Sequence, residues 1–114
     1  MKIKIVKSPV TLSEVKEIAS EFYVTMVKGV ADIEMGIIAL GGEYHIDANK
    51  LLVEDGSRQE DLWGFNFYLD RKGPDRLEYT AMINIRPSVG NSSMEVTNEN
   101  VREKIRHLVD AFVK

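Results

Sequence analysis

The sequence predicts an α+β fold, a two-layer sandwich in which a mostly antiparallel sheet carries two long helices on one face. Three observations lead there. Two stretches, opened by Thr11 and Asn98, hold apolar residues at helical spacing behind good N-cap residues. Residues 62–69 place Trp63, Phe65, Phe67 and Leu69 on one side and Leu62, Gly64, Asn66 and Tyr68 on the other, which is the period of a strand. Glycines at 29, 36, 41 and 42 divide the middle of the chain into pieces that suit a hairpin better than a helix over 30–40.

The predicted order is strand, long helix, hairpin, short helix, hairpin, long helix. Residues 2–6 alternate lysine with Ile3 and Ile5 and read as a strand stopped near Pro9. Thr11 with Glu14 forms a capping box, and Val10 with Val15 a hydrophobic staple. Leu12, Val15, Ile18, Ala19, Phe22 and Met26 continue the apolar face, so the helix is expected to end at Gly29. Ala31-Asp32-Ile33-Glu34 and Ile37-Ile38-Ala39-Leu40 flank Met35-Gly36 as two antiparallel strands, with Gly36 supplying the positive φ of the turn.

Asp47 is expected to cap a short helix over 48–53, closed by Gly56. After the strand at 62–69 comes a loop at 71–75. The partner strand is expected over 77–85, with Leu77, Tyr79, Ala81, Ile83 and Ile85 on its apolar face, stopped by Pro87. A polar loop at 88–93 precedes the last helix. There Val101, Ile105, Leu108 and Phe112, with Val109 or Val113, form the buried stripe, and His107 falls on the solvated side.

The totals set bounds. A chain of 114 residues fits one domain, 1–114, large enough to fold without a disulfide or a metal. Hydrophobic residues make up 44%, which argues against disorder. A net charge of −3 with no Lys/Arg cluster argues against a nucleic-acid partner. The absence of cysteine rules out thiolate catalysis and Cys-ligated zinc. No stretch has the length and character of a signal peptide or a membrane span, so the expected location is the cytoplasm and no membrane partner is expected.

Several segments carry a resemblance. They are Val27-Lys28-Gly29-Val30-Ala31-Asp32-Ile33-Glu34, Ile37-Ile38-Ala39-Leu40-Gly41-Gly42-Glu43-Tyr44-His45, Glu54-Asp55-Gly56-Ser57 through Asp61-Leu62-Trp63-Gly64, and Ile83-Asn84-Ile85-Arg86-Pro87 through Gly90-Asn91. Together they resemble a family of small prokaryotic single-domain proteins known only as a domain of unknown function. The resemblance spans nearly the whole chain. It implies one complete domain and brings no reaction, ligand or catalytic residue.

Two groups of residues carry possible chemistry. In an extended segment Glu43, His45 and Asp47 would project to one face, a sensible set for a divalent metal or for a base held by an acid. The plainer reading makes Asp47 a helix cap, His45 a hydrogen-bonded loop residue and Glu43 solvated. On the polar strand face, Asn66, Asn84 and Arg86 lead into Ser88, Gly90, Asn91, Ser92 and Ser93. Arg86 offers a planar fork for an anion, and backbone N–H groups in such a loop can cradle one. The plainer reading pairs Arg86 with Glu78 or another acid. The Trp63, Phe65 and Phe67 stripe reads as core rather than as a base-stacking platform. No Gly-x-Ser-x-Gly elbow is present.

The expected function is a non-catalytic module binding a small anionic ligand or a protein partner through the open sheet face, with self-association through that face or the first strand's edge as a variant. The alternative is a metal-assisted hydrolase using Glu43, His45 and Asp47, the only reading that implies a cofactor. Whether the protein is an enzyme stays open.

Overall fold

The computed structural model describes every residue, Met1–Lys114. Five strands, β1 (Ile3–Val6), β2 (Met26–Asp32), β3 (Ile37–Gly41), β4 (Leu62–Tyr68) and β5 (Leu77–Glu78), form one antiparallel sheet in the order β1-β3-β2-β4-β5. Three helices accompany it: α1 (Leu12–Ala19), α2 (His45–Glu54) and α3 (Glu99–Phe112). The fold is α+β, with a sheet that is antiparallel throughout.

Two apolar clusters sit on opposite faces of the sheet. The larger joins Val15 and Ala19 of α1 and Ile105 and Val109 of α3 to Val27, Ala31, Ile38, Leu40, Trp63, Phe65 and Phe67. The smaller joins Ala48 and Leu52 of α2 to Val30, Ala39 and Leu62, which alternate with the first set along their strands. The expected two-layer sandwich is therefore corrected: α2 covers part of the face that was to be left open. Covered on both faces, β2 and β3 read as nearly continuous apolar runs rather than as an alternation.

That burial explains the largest error of the sequence reading. The first helix does not run on to Gly29 but stops at Ala19. The amides of Tyr23 and Val24 both donate to the Ala19 carbonyl, and Val24 takes φ 62 as the chain reverses into β2. Gly29 lies inside the strand, opposite Phe65. The Phe65 ring folds over it, leaving a Cβ at position 29 only 2.3 Å from the ring edge. Phe22, assigned to the helix face, is exposed.

The capping box holds as read. Glu14 N–H donates to Thr11 Oγ1 at 3.1 Å, and Thr11 N–H to the Glu14 carboxylate at 3.4 Å. Lys4, 3.1 Å from Glu14, holds that carboxyl below its ordinary value. The β2–β3 hairpin turns at Gly36, and the fully buried Asp32 secures it. Asp32 accepts from the amides of Glu34 and Met35 and from Ser57 Oγ at 2.6 Å, tying the turn to the loop after α2.

Asn98 caps α3 as expected, accepting from the amides of Asn100 and Val101. The two ends of the chain meet: Val10 and Val113 form a parallel bridge, with Val10 N–H donating to Phe112 O and Lys114 N–H to Val10 O.

The second hairpin also departs from expectation. Only Leu77–Glu78 pair with β4, instead of residues 77–85. Residues Met82–Asn84 then form a 3-10 turn, which carries Ile83 into the smaller cluster. Gly64 makes this possible, because a Cβ there would come within 2.4 Å of the Ala81 Cβ. With no strand beside Gly64 on the side away from β2, the Asn84 side chain substitutes for one. Its Oδ1 accepts from Gly64 N–H at 2.8 Å and its Nδ2 donates to Gly64 O at 3.0 Å.

Candidate functional site

Three residues of the expected anion-binding group, Asn84, Asn91 and Arg86, are bonded to neighbouring backbone. Asn84 is fully buried, and besides Gly64 it donates to Met94 O at 3.1 Å. Asn91 is the hub of its loop. Its Nδ2 faces the carbonyls of Asn84, Ser93 and Glu95 at 2.7–3.0 Å, and its Oδ1 accepts from the amide and hydroxyl of Thr97. The Arg86 guanidinium donates to Leu62 O and Glu60 O and stacks 4.5 Å from the Trp63 ring. Ser88 is exposed in a turn over Pro87–Val89. Asn84, Asn91 and Arg86 stitch the 79–97 segment onto the free side of β4.

The second expected set does not converge either. Residues 43–47 are not extended but run into the first turn of α2. The Asp47 carboxylate turns back to accept the amides of Glu43 and Tyr44 at 3.1 and 2.9 Å, so it serves the helix start from inside the first turn rather than as the cap residue. Glu43 lies beside the Tyr44 hydroxyl and holds that phenol above its ordinary value. His45 points inward. No group of three or more His, Asp or Glu side chains is placed to hold a metal ion.

The structure instead joins one residue from each expected set. Lys28, Asn66 and Glu78 are registered neighbours across β2, β4 and β5, so their side chains form one transverse row on the α2 face. Asn66 Nδ2 donates to Glu78 Oε1 at 2.8 Å, and Tyr68 OH donates to the same oxygen at 3.0 Å. Asn66 Oδ1 is buried with no partner. His45 roofs this row over Gly64, whose missing side chain leaves room for the imidazole edge.

His45 Nε2–H donates to Phe65 O at 2.9 Å. A carbonyl can only accept, so Nε2 holds the proton and Nδ1 is the free acceptor of the neutral ring. Burial pushes the imidazole below its ordinary value, and the Lys28 charge adds to this. The Phe65 carbonyl, Asn66 and Glu78 oppose it without reversing it.

That shift predicts a pH dependence. The unfolded chain takes up a proton at His45 more readily than the folded one, so folding stability is full above the ordinary value of 6.5 and falls as pH drops below it. Urea unfolding between pH 7 and 5 is expected to show this loss. His45→Gln should flatten the profile, whereas the exposed His107 changed to Gln should leave it in place.

Outside this row opens a cleft of about 410 Å³ lined by Lys28, Tyr44, His45, Ile46, Met82 and Ile83. Tyr44, Ile46 and Met82 are substantially exposed apolar or aromatic walls. Lys28 has no carboxylate partner; its ammonium lies over the rings of Tyr23 and Tyr44 at 5.0 and 5.5 Å. The sequence had marked His45 and Asn66, but in separate groups, and had passed over Lys28. The one available signal was that a lysine stands between Val27 and Val30 in an otherwise apolar run.

No helix is long and apolar enough to cross a membrane. Neither the curated proteins nor the solved structures offer a match to this chain. A family model does match, over residues 4–112, and by that match the chain belongs to the family described as protein of unknown function DUF5674.

Proposed function

We propose that the protein is a non-catalytic binding module whose ligand is a small anion with an apolar body, received in the cleft beside His45. The observation that carries this reading is Lys28, an ammonium without a carboxylate partner on the wall of an otherwise mostly apolar cleft. The cleft volume of about 410 Å³ lies within the roughly 300–1,000 Å³ of small-molecule sites. Apolar walls would desolvate the ligand body, and the cation, held over two tyrosine rings, would receive its charge. Binding is favoured over catalysis because no hydroxyl or carboxylate is hydrogen-bonded to the His45 imidazole, whose protein partner is a backbone carbonyl.

Titration with hexanoate and with 3-phenylpropanoate, followed through the imidazole proton resonances of His45, tests this. Saturable shifts are expected in the wild-type protein and are expected to vanish in Lys28→Met, which keeps an apolar stem of similar length. Equal shifts in the variant, or no saturation with either acid, would overturn the reading.

A further inference from the structure

On the opposite face of the sheet, against α3, lies a second cleft, of about 340 Å³. Phe67, Leu77 and Val109 supply apolar lining, and Arg76, Tyr79 and Arg106 add polar groups. The polar groups are unusual in what they leave undone. The Arg76 guanidinium stacks 5.3 Å from the Phe67 ring, makes no ion pair, and its Nε–H is buried without an acceptor. Arg106 has only Asp110, at 3.7 Å, beyond a good hydrogen bond. The Tyr79 hydroxyl donates to nothing, although its backbone carbonyl accepts from Val96. In a chain with 18 acids against 15 lysines and arginines, two arginines this short of partners mark a local excess of positive donors.

The adjoining cleft of about 640 Å³, which shares Pro74, Leu77 and Tyr79, is different. There Arg71 and Arg102 are outnumbered by Asp75, Glu78 and Glu95. The excess of donors is confined to the smaller cleft.

We infer that the cleft between β5 and α3 binds a phosphomonoester through Arg76, Arg106 and Tyr79. Two guanidinium forks and a phenol offer donors for three oxygens, which a phosphate dianion has and a carboxylate lacks. The apolar lining receives a flat or aliphatic ester group. Asp110 sits on the wall as an opposing charge that weakens anion binding but is outweighed by the two guanidiniums.

Phenyl phosphate titrated into the full chain, followed by phosphorus NMR line width, tests the inference, with benzoate as competitor. Saturable broadening is expected. Arg76→Lys keeps the charge and much of the stem over Phe67 but loses the fork, and should weaken binding about tenfold. Asp110→Asn should tighten it several-fold. Run in Lys28→Met, which lacks the cation of the His45 cleft, the titration should still show saturable broadening, so the outcome stands apart from that of the hexanoate titration. No saturation, wild-type affinity in Arg76→Lys, or benzoate competing as well as phenyl phosphate would each overturn the inference.

Discussion

Gly29→Ala is expected to destabilise the protein by about 3 kcal/mol, the upper part of the range for overpacking a well-filled core. The added methyl would stand 2.3, 2.5 and 2.9 Å from three atoms of the Phe65 ring. Phe65 has no exposed surface, and it packs in the cluster that joins α1 and α3 to the sheet. To make room, the ring must leave its place over β2 or the two strands must separate, and either opens the core. For a domain of this length the thermal midpoint should fall by roughly 12 °C. Calorimetry on the variant checks this, and a midpoint within two or three degrees of wild type would show that the ring can yield freely. The double variant Gly29→Ala with Phe65→Leu should recover part of the loss, since the clash is with the ring edge.

Asn84→Ala is expected to cost about 3 kcal/mol, as two buried backbone groups lose their partner at once. They are the N–H and C=O of Gly64, while the C=O of Met94 keeps the Ala81 amide. The amide stands where the next pair of ladder hydrogen bonds would be, so removing it leaves the middle of β4 unpaired on one side. Asn84→Asp should be no better. It keeps the acceptor for Gly64 N–H but sets a negative oxygen against two carbonyls. Urea denaturation measures both, with a fall in midpoint at nearly constant slope expected. If Asn84→Ala kept the wild-type midpoint, the amide would be spare, and anion binding by this loop would again be the better account.

These two residues show what could be read from the sequence and what could not. Local chemistry was legible. The Thr11–Glu14 box, the Asn98 cap, the α3 stripe and the two faces of β4 each depend on residues a few positions apart. Gly29 was misread because a glycine after an apolar run looks like a helix stop, while its real role is set by Phe65, a strand away. Residues 79–85 were misread for a related reason. Their alternation fits a strand, but Ala81 against Gly64 and Asn84 in place of a ladder are tertiary facts. The candidate cleft was half legible. His45 and Asn66 stood out as polar residues among apolar ones, yet their true neighbours Lys28 and Glu78 are brought alongside by strand register, which no local spacing encodes.

The bridge between Val10 and Val113 bears on how the chain reaches this state. The larger apolar cluster takes residues from Val6 to Val113, so it cannot be completed by any early part of the chain. As the polypeptide emerges during synthesis, Val15, Val27 and Phe65 must wait without the cover of α3, which is made after them. Folding is thus an event of the whole chain, governed by contacts far apart in sequence and slow beside that of a helical bundle. Until α3 docks, the part of that sheet face not covered by α1 stays bare, and that interval is when the protein is most exposed to aggregation and to capture by chaperones.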